Sequence, residues 1–123
     1  MKILLKIPAL FIGAVIWFLS SQSILPQPKG ILGFDKLQHL LAYLLLALAV
    51  SLWFSREKFR SGFWFPALTF IISSAYGAID EVHQYFVPGR DCNVWDWLAD
   101  ASGAFLGMWA AVLAAALIKR KNR

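Results

Sequence analysis

The 123-residue sequence is 59% hydrophobic and 15% charged, with a mean hydropathy of +0.61, about half the charge of an ordinary globular domain. This composition excludes a disordered chain, a coiled coil and a nucleic-acid-binding arm, and a soluble domain this small has no interior large enough for so much apolar surface. The net charge of +5 is a topology signal more than a nucleic-acid footprint, and the single cysteine, Cys92, leaves neither a disulfide nor the Cys spacing of a zinc site, so that no metal and no cofactor are expected.

A helix crosses about 30 Å of hydrocarbon with roughly 20 apolar residues, and four such segments are predicted within one domain covering residues 1–123. The first spans 7–25, beginning after Lys2 and Lys6 and fading through Ser20, Ser21, Gln22 and Ser23. Its basic start, short apolar run and small residues at 21 and 23 also fit a cleaved signal peptide. Pro26, Pro28, Gly30 and Gly33 break the chain before the second helix, 35–54, which Asp35 is placed to cap. A short basic loop over 56–62 leads to the third helix, 63–86, with Pro66 tolerated in its first turn. Pro88-Gly89-Arg90 ends it, and the fourth helix runs over 94–118 into a basic tail.

Basic residues flanking the spans set orientation, because short Lys/Arg-rich loops stay cytoplasmic. Lys2, Lys6, Arg56, Lys58, Arg60, Lys119, Arg120, Lys121 and Arg123 share one side, and Lys29, Lys36 and Arg90 the other. The expected fold is therefore all-α, a four-helix transmembrane bundle with both termini in the cytoplasm, in contact with anionic headgroups and not with nucleic acid. The acids show the opposite bias. Of seven, only Glu57 falls on the cytoplasmic side, while Asp35, Asp80, Glu81, Asp91, Asp96 and Asp100 gather at the outer face.

Helical spacing sharpens this cluster, since residues three or four apart share a face. Tyr76, Asp80 and Gln84 form one stripe with Glu81 beside it; Asp96 and Asp100 form another; Asp35, Lys36, His39 and Tyr43 lie on related steps of the second helix. Asp35 and Asp96 stand at helix starts, where the dipole favours an anion. Asp80 and Glu81 stand near a helix C-terminus, inside the hydrocarbon slab, where an acid costs up to about 2.5–3.5 kcal/mol and is normally retained for a partner or a function. Lys36, His39 and Arg90 are the available partners. Gly103 and Gly107 form a small-xxx-small motif for close helix packing within the bundle, with a homo-oligomer seam as the second use.

Three ordered motifs, Asp35-Lys36-x-x-His39-x-x-x-Tyr43, Tyr76-Gly77-x-x-Asp80-Glu81-x-x-Gln84-x-Phe86-x-Pro88-Gly89-Arg90 and Asp96-x-x-x-Asp100-x-x-Gly103-x-x-x-Gly107, cover the last three helices. This pattern resembles the VanZ-like family of small bacterial membrane proteins. The resemblance implies a multi-pass protein of the inner membrane and a link to resistance against the glycopeptide teicoplanin; it implies no particular reaction.

Two functions follow from the residues. In the first, an outer-leaflet polar pocket binds a cell-envelope component or lipid-linked precursor, with Arg90 and Lys36 holding an anionic headgroup, Asp80 and Glu81 orienting Arg90, and Tyr76, Gln84, Asp35, Asp96 and Asp100 completing the polar lining. In the second, an intramembrane enzyme acts on a lipid-linked phosphate or acyl group, with Asp80 or Glu81 as general base and His39 as acid or base. A hard cation on the clustered carboxylates belongs to that second function. Transport is disfavoured, because no polar path crosses the inner half of the helices.

Overall fold

The computed structural model describes residues 3–23 and 33–121 and is all-helical over them. A 3₁₀ turn, Leu4–Lys6, leads into α1 (Ile7–Ser20), followed by α2 (Phe34–Ser51), α3 (Arg56–Ser61), α4 (Trp64–Tyr85) and α5 (Val94–Lys121). Pro26, Pro28, Lys29 and Gly30, with the end of the expected first helix, lie outside the described residues, as do Lys2 and Arg123.

Helix ends depart from the sequence reading for local reasons. The α1 helix stops at Ser20 because Ser20, Ser21 and Gln22 turn their side chains back onto the carbonyls of Ile16, Trp17 and Phe18, offering the backbone an alternative to another helical turn. Asp35 is not the cap of α2. Gly33 takes that position with φ of 75°, a left-handed conformation that suits glycine, while the Asp35 carboxylate turns to the Lys36 ammonium 2.6 Å away. The segment expected as a basic loop contains α3: the Ser55 hydroxyl accepts from the Lys58 amide, and Phe59 is buried and packs near Phe54. One good cap and one buried aromatic outweigh the polarity of Arg56, Lys58 and Arg60.

In α4 the usual amphipathic order is inverted. Its buried face carries Thr69, Ser73, Ser74, Gly77, Asp80, Glu81 and Gln84, and its exposed face Leu68, Ile71, Ile79 and Val82. Apolar side chains also face outward on α1, α2 and α5, including Phe11, Phe18, Leu41, Leu45, Phe105 and Leu113. An apolar exterior around a polar interior suits a lipid surround, where tails cost apolar groups nothing and buried polar groups find partners only inside. Two helices, Phe34–Ser51 and Val94–Ile118, are long and apolar enough to cross a membrane. The 22 residues of α4 reach about 33 Å at ~1.5 Å per residue, its charged and polar turns lowering its hydropathy.

Central to the packing is α2, with α5 laid closely against it. A Cβ at Gly103 would run into the Leu40 carbonyl oxygen, and one at Gly107 would stand 2.5 Å from that of Leu44. The small-xxx-small face thus seats α5 on α2, not on α4, and leaves no room there for a second copy. Ser20, His39, Asp80 and Asp100 meet at one end of the assembly. At the other, Lys6 lies over the Trp53 ring at 6.0 Å and Lys58 over Phe65 at 5.2 Å.

Replacing Gly103 by Ala is expected to lower stability by about 1–3 kcal/mol, because backbone must move to admit one methyl. Gly62→Ala, at a position with open space around it, is the matched control. Thermal unfolding in detergent, followed by circular dichroism, compares the two.

Candidate functional site

Four helices deliver polar side chains to one place because their ends coincide. Along α4 the spacing that sets Gly77, Asp80, Glu81 and Gln84 on the inward face also fixes their depth. Asp80 and Glu81 are 1% and 3% exposed, and Asp100, from α5, is fully buried. Gly77 makes the approach possible: a Cβ there would stand 3.0 Å from Asp100 Oδ2 and 3.2 Å from the Tyr43 ring.

Each acid has specific neighbours. Asp80 accepts from the Ser20 hydroxyl of α1 and from Gln84 Nε2 at 3.1 Å. Glu81 Oε2 accepts from the Asn93 backbone N–H at 2.9 Å, and its Oε1 lies 3.4 Å from Gln84 Nε2 and 3.9 Å from His39 Nδ1. Asp100 Oδ1 is 2.8 Å from His39 Nδ1, whereas its Oδ2 has no donor. Lys36 bridges Asp35 and Asp96 at the rim. Tyr43, one turn below His39 on α2, is 1% exposed, and its hydroxyl has no partner. Four inward carboxylates are thus held by hydroxyl, amide and imidazole groups and a single lysine, an arrangement rich in acceptors and poor in fixed positive charge.

A family model described as VanZ/LLP1 matches residues 3–115, nearly the whole chain. The chain belongs to the VanZ/LLP1 family. It is a VanZ-like membrane protein, consistent with the two apolar helices of spanning length among the described residues. Neither the curated proteins nor the solved structures contain a match.

In this VanZ-family chain the expected site residues separate into two groups. Asp80, Glu81, Gln84, His39, Asp96, Asp100, Lys36 and Asp35 converge. Arg90 and Tyr76 do not join them. The Arg90 guanidinium donates to the carbonyls of Gln22 and Leu19, at 2.9 and 3.1 Å, and so caps the end of α1 instead of being oriented by Asp80 and Glu81. Tyr76 donates to the Gly13 carbonyl at 2.6 Å and ties α4 to the middle of α1. His83 is stacked on Trp17, ring centroids 3.9 Å apart, with Nδ1 4.0 Å from Asp80. Ser20 and the Asn93 amide were not legible as site groups: a serine ending an apolar run looks like a helix end, and a backbone N–H leaves no mark in a sequence.

Removing His39 strands a fully buried carboxylate, so His39→Ala is expected to destabilise by about 3–5 kcal/mol if Asp100 stays ionised. Adding Asp100→Ala should recover part of the loss, giving a coupling of roughly 0.5–3 kcal/mol in a double-mutant cycle of unfolding free energies. Arg90→Ala should cost roughly 1 kcal/mol and speed proteolysis of the 86–93 loop. Arg90→Lys should fail to rescue it, because an ammonium does not span two carbonyls as a guanidinium fork does.

Proposed function

We propose that this VanZ-family protein crosses the bacterial inner membrane four times as a helical bundle with both termini in the cytoplasm, and that its acid–histidine cluster sits in the outer leaflet and binds a cell-envelope component. The sided distribution of Lys and Arg supports the orientation. The observation that carries the function is the burial of Asp80, Glu81 and Asp100 beside His39 within an apolar exterior, since acids at membrane depth are retained where they serve a partner.

The ligand's chemistry follows from what remains available. Arg90 is engaged with carbonyls and Lys36 with two carboxylates, so the cluster offers acceptors more than donors. It suits a hydroxyl or ammonium group of a lipid-linked envelope precursor better than the anionic headgroup expected from Arg90 and Lys36. Binding such a precursor would connect the protein to the teicoplanin resistance that the family resemblance implies. Membrane lipids are the surrounding partner, and any homo-oligomer uses a face other than Gly103 and Gly107.

A second reading, an enzyme acting on a lipid-linked phosphate or acyl group, is favoured by one specific arrangement. Asp100 holds one ring nitrogen of His39 while Glu81 stands 3.9 Å from it, the geometry of a base oriented by a carboxylate.

Purified protein in lipid nanodiscs is expected to bind a lipid-linked peptidoglycan precursor, with affinity falling at least about tenfold, or ~1.4 kcal/mol, in Glu81→Gln. Equal binding by the two proteins would refute the cluster's role, and turnover abolished by His39→Ala with the fold retained would select the enzyme. The exposed Cys92 reports topology: an impermeant maleimide added to intact spheroplasts should label it, and should not label Ser61→Cys in a Cys92→Ser background.

A further inference from the structure

We propose that His39, Glu81 and Asp96 form a site for one divalent transition-metal ion, with Asp100 as the carboxylate that orients the histidine. Each of the three offers a donor atom, and these atoms lie within 4.8 Å of one another. An ion with bonds of about 2.0–2.2 Å holds tetrahedral donors roughly 3.3–3.6 Å apart, so the three would close by up to about 1.5 Å on binding it. They arrive from α2, α4 and α5, so no local spacing in the sequence announces them.

The surroundings are built in a way that a chance cluster of acids is not. Glu81 is fixed through its second oxygen by the Asn93 N–H. Asp100 holds Nδ1 of the His39 ring at 2.8 Å and so leaves Nε2 as the nitrogen for the ion, since a metal-bound imidazole gives its other N–H to a carboxylate, a carbonyl or water. Asp100 is fully buried with Oδ2 lacking any donor, and the buried Tyr43 hydroxyl, one turn below His39, lacks any partner. Among the described residues, the basic side chains paired with Asp80, Glu81, Asp96 and Asp100 are Lys36, His39 and His83, and only Lys36 carries a permanent charge. A divalent ion supplies the positive charge that this interior lacks. One imidazole with two carboxylates suits Zn²⁺, Mn²⁺ or Fe²⁺ over Ca²⁺ or Mg²⁺, which prefer all-oxygen sites. Three protein ligands leave a coordination position for a water or an exogenous oxygen.

The site shares its residues with the proposed envelope-binding cluster, and a test on the protein with metal and no precursor reads ion binding separately from that reading. Full-length chain carrying Cys92→Ser, which removes the exposed thiol as a competing ligand, is stripped with chelator in detergent, titrated with Zn²⁺ and assayed by elemental mass spectrometry. One equivalent is expected, not displaced by Ca²⁺, and Co²⁺ in its place should give visible d–d absorption. Asp100→Asn should weaken Zn²⁺ binding about 10–100-fold, and His39→Ala and Glu81→Gln should weaken it more. Lys36→Gln, which relieves Asp96 of a competing cation, should strengthen it. Folded wild-type-like protein that holds no stoichiometric Zn²⁺ and gives no Co²⁺ spectrum overturns the proposal, as does Zn²⁺ binding indifferent to Glu81→Gln.

Discussion

A carboxylate withdrawn from water persists only where donors come to meet it, and here the donors come from α1, α2, α4 and the residue before α5. Ser20 of α1 and Gln84 of α4 meet Asp80; His39 of α2 meets Asp100 of α5; Lys36 of α2 meets Asp96. Since removing one partner of a buried ionic pair costs far more than the pair contributes, these contacts fix how the helices are placed against one another more than how tightly they adhere. An apolar exterior adds no such directionality, because Leu against lipid and Leu against Leu differ little in energy.

Close backbone approach is the second half of that constraint. Gly103 and Gly107 admit the carbonyls of Leu40 and Leu44, and Gly77 admits Asp100 and Tyr43. Short side chains at these points bring α2, α4 and α5 near enough for groups as compact as Asp to reach His, so the glycines serve the polar centre as well as the packing. The loop after α4 adds to both: its Arg90 ties down the end of α1, and the Asn93 amide fixes Glu81. A centre assembled this way holds its acids in set directions with little fixed positive charge nearby, which is the electrostatic condition for recruiting a cationic or donor-rich ligand.

Periodicity exposed the all-helical class, the apolar bodies of α2 and α5, and the inward stripe Asp80–Gln84, because hydrophobic order and helical spacing are local properties of a chain. Helix termini were less legible. Ser20 and Ser21 competing for their own carbonyls, Gly33 in place of Asp35 at the start of α2, and Phe59 anchoring α3 all depend on which rotamer or neighbour prevails. Arg90 was the clearest divergence. A forked cation beside a group of acids reads as their partner, yet the carbonyls left open at the end of α1 took both of its donors.

Composition and residue order by themselves determined that this chain is helical, apolar outside and acidic at one end, since those features need only the side chains and their spacing. Tertiary structure alone decided which acid faces which donor: that Asp100 holds His39, that Asp80 takes Ser20, and that His39, Glu81 and Asp96 share one small volume. Such meetings span tens of residues along the chain and turn on angstrom-scale helix offsets, which no local pattern encodes.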